Sequence, residues 1–275
     1  MHWTESFLDK LAQAPAVWIT VEAAQGSVPR EAGTVMAVFA DTAMGSIGGG
    51  HLEFEAMNYA RVCLQDSQAR ADLPAQKRFA LGPSLGQCCG GALQLNFEFV
   101  QATDSPRLRA VLQAQKLSSF QPLALFGGGH VGQALVTVLA PLPFDVRWID
   151  SRDEIFPSDV PAQVVCEHSN PVHAAVPDLL PHSRVLIMSF SHAEDLDIVA
   201  ACLWRQRQAR DLPFVGLIGS ATKWATFKSR LGERGFSQAE CEHVTCPIGV
   251  PGIAGKEPHV IAVAVAAQLL QLPVI

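Results

Sequence analysis

Charge, tyrosine and long apolar runs are all scarce in this chain. Only 17% of its 275 residues are charged, and no Lys/Arg cluster offsets the net charge of −6. Basic fields hold nucleic acids, so this balance argues against a nucleic-acid partner. The apolar run at 260–267 is too short to cross a bilayer, and residues 1–13 have the pattern of an amphipathic helix, not of a signal peptide. We therefore expect a cytoplasmic protein without a membrane partner.

Cysteine motifs are missing as well. The seven cysteines are an odd number and include no C-x-x-C spacing, so neither a disulfide framework nor a structural zinc site is predicted. Tyr59 is the single tyrosine and lies outside the half of the chain that carries a nucleotide-type motif. A tyrosine–lysine proton relay beside a nicotinamide is therefore not expected. What is present is a 49% hydrophobic composition that is typical of a globular protein.

The stretch 123–132, LALFGGGHVG, organises the C-terminal half. Its short apolar strand runs into Gly127, Gly129 and Gly132, which fit G-x-G-x-x-G, and then into a helical pattern. In that motif the glycines allow a tight turn, close approach of the backbone to a phosphate, and close helix–strand packing. A second strand ends on Asp150, where the motif places an acid for ribose hydroxyls. This order predicts a phosphate site; the alternative is a βα turn without a ligand.

Strands and helices alternate beyond Asp150. Strands are predicted at 163–166, 184–190 and 214–218, and helices at 195–206, 223–234 and 258–270, the last of them apolar nearly all round and therefore buried. Such alternation is typical of a Rossmann-like parallel sheet with helices on both faces, which binds ligands outside the carboxyl ends of its strands. The candidate cofactor-binding residues of this half are Gly127, Gly128, Gly129, His130, Gly132, Asp150, His192, Gly219, Ser220 and Lys223.

The N-terminal half predicts a smaller α+β domain. Its strands are expected at 16–23, 34–40, 77–81 and 92–100, and its helices at 51–64 and 106–115. A second glycine-rich turn, SIGGG at 46–50, opens the first of these helices and is a second candidate anion site. The alternative is a close helix–sheet contact that only glycine tolerates. A linker at 117–122 is predicted to separate domains 1–118 and 119–275.

Individual side chains add chemistry to these turns. His192 follows a predicted strand, where it is suited to contact phosphate or exchange a proton, or simply to cap or pack. His130 lies inside the glycine turn and either donates to a phosphate or points outward. Lys223, in the first turn of a helix, indicates a nearby anion, because a cation there is otherwise unfavourable. Cys88 and Cys89, flanked by glycines, are candidates for a soft metal such as molybdenum, a persulfide or redox sensing, or are packing thiols.

Seven segments cover nearly the whole chain. They are GSVPREAG (26–33), GSIGGGHLE (45–53), GQCCGG (86–91), FGGGHVG (126–132), SHAEDLD (191–197), GLIGSATK (216–223) and CPIGVPGIAGKEPHVIAVAV (246–265). Together, and in this order, they resemble the XdhC/CoxI family of xanthine dehydrogenase accessory proteins. The last segment is similar to the ending of members from purine-degrading bacteria, which implies a role in purine catabolism.

The resemblance implies a homodimeric chaperone, not an enzyme. Such a protein binds and protects molybdenum cofactor, presents it to a cysteine desulfurase for sulfuration, and delivers it to the molybdenum subunit of xanthine dehydrogenase. We expect the phosphate of molybdopterin at the 127–132 turn. Across a cleft between the domains, the metal end would face Arg30, Gly48, Gly49, Gly50, His51, Cys88 and Cys89. Two alternatives stay open: an NAD(P)-dependent oxidoreductase, favoured by Asp150, and a cysteine-based redox-sensing adaptor.

Overall fold

The computed structural model describes residues 3–66, 71, 75–81 and 91–274. The chain divides into an N-terminal unit, Met1–Lys116, and a Rossmann-like unit, Leu117–Ile275. The first is built on an antiparallel sheet and the second on a parallel one. The predicted fold class, a Rossmann-like parallel sheet beside a smaller α+β region, is confirmed.

The N-terminal unit is a five-stranded sheet in the order β3-β2-β1-β5-β4. Its elements are α1 (Thr4–Leu11), β1 (Ala16–Gln25), β2 (Val35–Val38), β3 (Ala43–Gly45), α2 (Gly50–Gln65), β4 (Gln76–Ala80), β5 (Ala92–Val100) and α3 (Ser105–Ser119). Alternate residues of the central strand β1 face opposite sides of the sheet. Ile19 packs in the core that α2 covers, and Trp18 packs in the core under α1 and α3. Helices therefore cover both faces.

The Rossmann-like unit is a six-stranded parallel sheet in the order β11-β10-β9-β6-β7-β8. Its elements are β6 (Gln121–Phe126), α4 (His130–Leu139), β7 (Phe144–Asp150), β8 (Val165–His168), β9 (Arg184–Ile187), α5 (His192–Ala209), β10 (Phe214–Leu217), α6 (Ala221–Glu233), α7 (Gln238–Cys241), β11 (Val244–Thr245) and α8 (Pro258–Gln271). Helices α4 and α8 cover one face and α5 and α6 the other. The strand order reverses between β6 and β9, which is where such sheets bind ligands.

Three local predictions were wrong. The linker expected at 117–122 does not form, because α3 runs to Ser119 and β6 already pairs at Gln121 with Phe144. The strand expected at 184–190 ends at Ile187: Met188 N still bonds to Phe126 O, but the next amide, that of Ser189, bonds to the Asp195 side chain. Helix α8 is not buried all round: it packs on α4, and Val263 and Leu270 remain about half exposed.

Among the described residues, no helix is long and apolar enough to span a membrane.

Candidate functional site

In the glycine motif at 127–132, neighbouring backbone leaves no room for a side chain at Gly127 or Gly132. Gly127 has φ +123°, and a Cβ there would lie 2.0 Å from the carbonyl oxygen of Met188 on the neighbouring β9 segment. A Cβ on Gly132 would lie 2.0 Å from the carbonyl oxygen of Gly127. The close helix–strand packing that the motif predicts is therefore present. At Gly129, by contrast, a Cβ would meet no atom of the described residues within 4 Å.

Helix α4 begins without a side-chain cap. Its N-cap residue is Gly129, and no side chain of the described residues accepts a hydrogen bond there. The other two helices at this edge of the sheet are capped: Ser191 accepts from Glu194 N, and Ser220 accepts from Lys223 N, each at 3.2 Å. The first amide groups of a helix have no partner within the helix and carry partial positive charge. The open space at Gly129 therefore adjoins amide donors suited to an anion.

Asp150 is held by the protein itself. It is only 1% exposed, and its Oδ2 accepts from Gly128 N at 2.6 Å and from Arg152 Nη2 at 2.9 Å. Its Oδ1 accepts from Arg152 N and Nε, both at 2.9 Å. A carboxylate offers about four lone-pair sites, so these four bonds saturate it. Ribose hydroxyls would have to displace Arg152 in order to reach this acid.

The environment of Asp150 predicts a specific acid sensitivity. Burial alone would raise the pKa of this carboxyl, but the hydrogen bonds from Arg152 and Gly128 outweigh burial and hold the pKa below its usual value. The carboxylate therefore stabilises the fold above its unfolded pKa of about 3.9, and this contribution is lost as the pH falls through the lower folded pKa. We expect Asp150→Asn to be less stable than wild type at pH 7 and to lose less further stability between about pH 4 and pH 2.

Unfolding curves in urea across that pH range measure the effect. Asp159→Asn is a suitable control, because Asp159 is exposed. A parallel loss of stability in wild type and Asp150→Asn below pH 4 would contradict the expected contribution of this carboxylate.

The ammonium group of Lys223 is paired with a carboxylate of the same chain. Its ammonium donates to Asp195 Oδ2 at 2.6 Å and to the carbonyl oxygen of Ile218 at 2.9 Å. Asp195 is 2% exposed, and its Oδ1 also accepts from the amide and the hydroxyl of Ser189, both at 2.8 Å. Lys223, a candidate contact for the anion of a cofactor, is thus paired with a buried carboxylate 28 residues earlier in the chain.

Gly219, Ser220 and Cys246 surround this ion pair. A Cβ on Gly219 would lie 2.8 Å from Cδ of Lys223 and 3.3 Å from Sγ of Cys246. Ser220 is the N-cap of α6, so its hydroxyl serves the helix. Burial raises the pKa of the Cys246 thiol, and the positive charge of Lys223 opposes that rise. Cys246 is therefore a protonated thiol near neutral pH rather than a reactive thiolate.

The two candidate histidines both stand at the exposed start of a helix. His130 is the first residue of α4, next to the uncapped turn, and His192 is the first residue of α5. The His192 ring also lies edge-on to Phe227, with 6.3 Å between ring centroids. His130 is thus placed beside the amide donors of the turn, whereas His192 has a packing contact on the α6 side.

The second glycine turn is occupied by a side chain of its own unit. Glu53 Oε2 accepts from Gly49 N at 2.5 Å and from the Ser46 hydroxyl at 3.0 Å. Gly48 has φ +126°, and a Cβ there would lie 2.5 Å from Pro29, so the 29–30 segment packs directly on the turn. Arg30 is exposed beside it, with Cγ 3.7 Å from that Cβ position. The close contact at Gly48 is therefore with the loop at 29–30 and not the helix–sheet contact named as the alternative, and Glu53 already takes the place of an anion.

His51 and the cysteine pair complete the sequence candidates. His51 is the second residue of α2, and its side chain is 47% exposed. Its Nε2 is 3.7 Å from Glu55 Oε1, and its ring lies near Phe54. Cys88 and Cys89 lie outside the described residues. Within the described part of the chain, no group of three or more His, Cys, Asp or Glu residues is arranged to hold a metal ion.

The structure thus brings most candidates of the Rossmann-like unit to the carboxyl edge of one sheet. It also places there four residues that were not singled out from the sequence: Arg152, Phe190, Glu194 and Asp195. Of these, Glu194 and Asp195 carried a sequence signal, because both are acids in the first turn of a helix that follows a buried strand. Nothing in the sequence pairs Arg152 with Phe190.

Comparisons with known proteins agree with this architecture. The family model described as the XdhC Rossmann domain matches residues 123–269, more than half of the chain. The model of the XdhC and CoxI family matches residues 11–75. The two matches fall on the two units of the structure.

Two relatives extend the comparison. The uncharacterized protein YqeB of Escherichia coli (strain K12) is 26% identical over 98% of this chain, which spans about half the length of that relative, 46% of it. A crystal structure described as a xanthine dehydrogenase from Bacillus halodurans has a TM-score of 0.76 at 19% identity, with 98% of this chain and 95% of that chain covered. The structural likeness shows that the fold is shared along the whole chain. The chain belongs to the XdhC and CoxI family.

Proposed function

We propose that this protein is an accessory protein of xanthine dehydrogenase that binds molybdenum cofactor. In this role it protects the cofactor, presents it to a cysteine desulfurase for sulfuration, and passes it to the molybdenum subunit of the enzyme. The cofactor is cargo and is released, so the protein works as a chaperone and not as a catalyst. Family membership supports the link to xanthine dehydrogenase.

The observation that carries the proposal is the uncapped turn at Gly129. The first turn of α4 offers amide donors, an open approach and the positive end of the helix. Molybdopterin has one terminal phosphate, which such a turn is suited to hold. His130, exposed at the same turn, is placed to add a hydrogen bond or a charge.

The hydrogen bonds of Asp150 also support molybdenum cofactor over NAD(P) as the ligand. The NAD(P)-dependent alternative needs an acid that is free to bind ribose hydroxyls. The Asp150 carboxylate already accepts four hydrogen bonds from Gly128 and Arg152. Molybdopterin without an attached nucleotide has no ribose and makes no such demand, so this bonding favours a ligand with a phosphate but no ribose diol.

Gly129→Asp separates the ligand site from the fold. The backbone at Gly129, φ −72° and ψ −175°, suits an N-cap aspartate, and a Cβ there would meet none of the described atoms within 4 Å. The new carboxylate would take the free amides of α4 and repel a phosphate. We expect the variant to be as stable as wild type or more so, by about 1 kcal/mol, and to lose at least about tenfold in cofactor retention.

The measurement is cofactor content after purification from cells that make molybdenum cofactor. Oxidised pterin fluorescence and elemental molybdenum report retention, and loaded protein is then tested for restoring activity to cofactor-free xanthine dehydrogenase. Gly129→Ala is the matched control, since alanine fits and leaves the amides free. Bound NAD(H) without pterin in the wild type would reject the proposal, as would equal pterin retention by Gly129→Asp and Gly129→Ala.

A further inference from the structure

Phe190 is an exposed aromatic side chain on a fixed segment of backbone. Phe190 is 66% exposed. It follows the carboxyl end of β9, beside the point where the strand order reverses. The residue before it, Ser189, is bonded through its amide to buried Asp195, and the residue after it, Ser191, caps α5. The ring is therefore held in solvent at the edge of the sheet where such folds bind ligands.

Arg152 covers part of this ring. Its guanidinium carbon lies 4.7 Å from the ring centroid of Phe190. The guanidinium is fixed in place because Nε and Nη2 both donate to Asp150. Arg152 follows β7 and Phe190 follows β9, the two strands on either side of β6. The stacked pair thus spans the end of the strand that leads into the glycine turn.

Glu194 supplies an acceptor beside the pair. Its Oε1 accepts from the Ser151 hydroxyl at 2.5 Å, whereas its buried Oε2 has no hydrogen-bond donor among the described residues. The negative charge of Glu194 also acts on Arg152 and raises its pKa, after the larger effect of Asp150. A buried carboxylate oxygen without a donor is unfavourable unless a ligand or solvent supplies one.

We propose that Phe190, Arg152 and Glu194 form a site for a 2-amino-4-oxopyrimidine ring. The ring stacks on the Phe190–Arg152 pair, and its adjacent N–H donors bind the Glu194 carboxylate, while a phosphate on the same molecule binds the turn at Gly129. Stacking on aromatic and guanidinium planes is a common way to hold planar heterocycles. This ring edge occurs in pterins and in guanine. The inference rests on the proposed function for the phosphate contact and specifies which part of the cargo is recognised.

Three phosphorylated probes test the site on the full, cofactor-free chain. They are oxidised pterin monophosphate, guanosine 5′-monophosphate and adenosine 5′-monophosphate, of which the last lacks the 2-amino-4-oxo edge. Dissociation constants are measured by calorimetry or by pterin fluorescence. We expect the wild type to bind pterin monophosphate and guanosine monophosphate about tenfold more tightly than adenosine monophosphate, since the last makes no bond to Glu194.

Variants assign the effect to side chains. Phe190→Leu is expected to weaken the binding of all three probes by about tenfold, and Phe190→Tyr to leave it within twofold, because tyrosine keeps the aromatic plane. Glu194→Gln is expected to abolish the preference over adenosine monophosphate while the binding of inorganic phosphate is unchanged. This loss of selectivity is a readout that a purely structural role of Glu194 would not produce.

The outcomes separate this site from the proposed function. Equal binding of guanosine and adenosine monophosphates, or wild-type affinity in Phe190→Leu, overturns the ring site. Pterin-loaded protein recovered equally from cells expressing wild type and Phe190→Leu also overturns it, but leaves the cofactor role intact. Selective binding of guanosine monophosphate without pterin monophosphate supports the ring site and rejects the molybdopterin cargo.

Discussion

Replacing Gly132 by alanine is expected to destabilise the Rossmann-like unit by about 3 to 5 kcal/mol, at the upper end of the effects of single substitutions. The new Cβ would lie 2.0 Å from the carbonyl oxygen of Gly127 and 3.4 Å from Nε1 of Trp148. The same indole nitrogen donates to that carbonyl at 2.9 Å. Because the obstacle is backbone in a tight turn, relief requires α4 to move away from β6 and this hydrogen bond to break.

Native-state hydrogen exchange of peptides from β6 and α4 assigns the loss to one unit, which global unfolding of a two-unit chain does not. Gly129→Ala provides the matched control in the same motif: within the described part of the chain its Cβ meets no atom within 4 Å, and its backbone is in an ordinary extended conformation. We expect the control to stay within about 0.5 kcal/mol of wild type. Similar exchange in Gly132→Ala and Gly129→Ala would show that the turn can yield, and that the packing argument for this glycine is wrong.

The sequence was sufficient for features that depend on local pattern. Strand β5, Ala92–Val100, agrees with the range expected from its alternation, and the strand–glycine–helix order at Phe126–His130 is present. Apolar periodicity and glycine follow from the backbone geometry of short segments, so a single sequence contains them. The parallel topology followed from the alternation of strands with helices.

Side-chain pairing could not be predicted in the same way. The motif places an acid at Asp150 to bind ribose hydroxyls, but the side chain of Arg152, two residues later, donates to this carboxylate. Arg152 would therefore compete with such a ligand. Lys223 was expected to contact the anion of a bound cofactor, but its ammonium is paired with Asp195, which it reaches because β9 and β10 are neighbours in the sheet. Phe190 was placed inside a strand because an apolar run includes it; the bonds of Ser189 to Asp195 end the strand earlier and leave the ring exposed.

One consequence is that polar residues at the carboxyl edge divide into two groups. Asp150 and Asp195 are nearly inaccessible and saturated by protein donors, so they set the shape of the loops. Gly129 and His130 are left accessible to a ligand. An anionic ligand bound at this turn, as proposed above, would meet amides and a histidine, while the buried acids are already neutralised by Arg152 and Lys223.

Lys223→Met is the second substitution with a large expected effect. It removes the ammonium that neutralises Asp195 and leaves a carboxylate that is 2% exposed. Among the described residues, its remaining donors are the Ser189 amide and hydroxyl. Breaking a buried ion pair from one side costs about 3 to 5 kcal/mol, because the remaining charge is desolvated without compensation. We expect a loss of this size for the Rossmann-like unit, measured by hydrogen exchange in β9 and β10.

A double-mutant cycle with Asp195→Asn identifies the cause of that loss. In the Asp195→Asn, Lys223→Met double variant the charge is gone, while the amide oxygen of Asn still accepts from Ser189. The double variant should therefore be more stable than Lys223→Met alone by at least about 1 kcal/mol, a coupling that independent sites do not show. Lys228→Met, at an exposed position on the same helix, should change stability by less than about 0.5 kcal/mol. If the losses from the two single changes simply add, the uncompensated charge of Asp195 is not what destabilises Lys223→Met, and the pair does not fix the loop that carries Phe190.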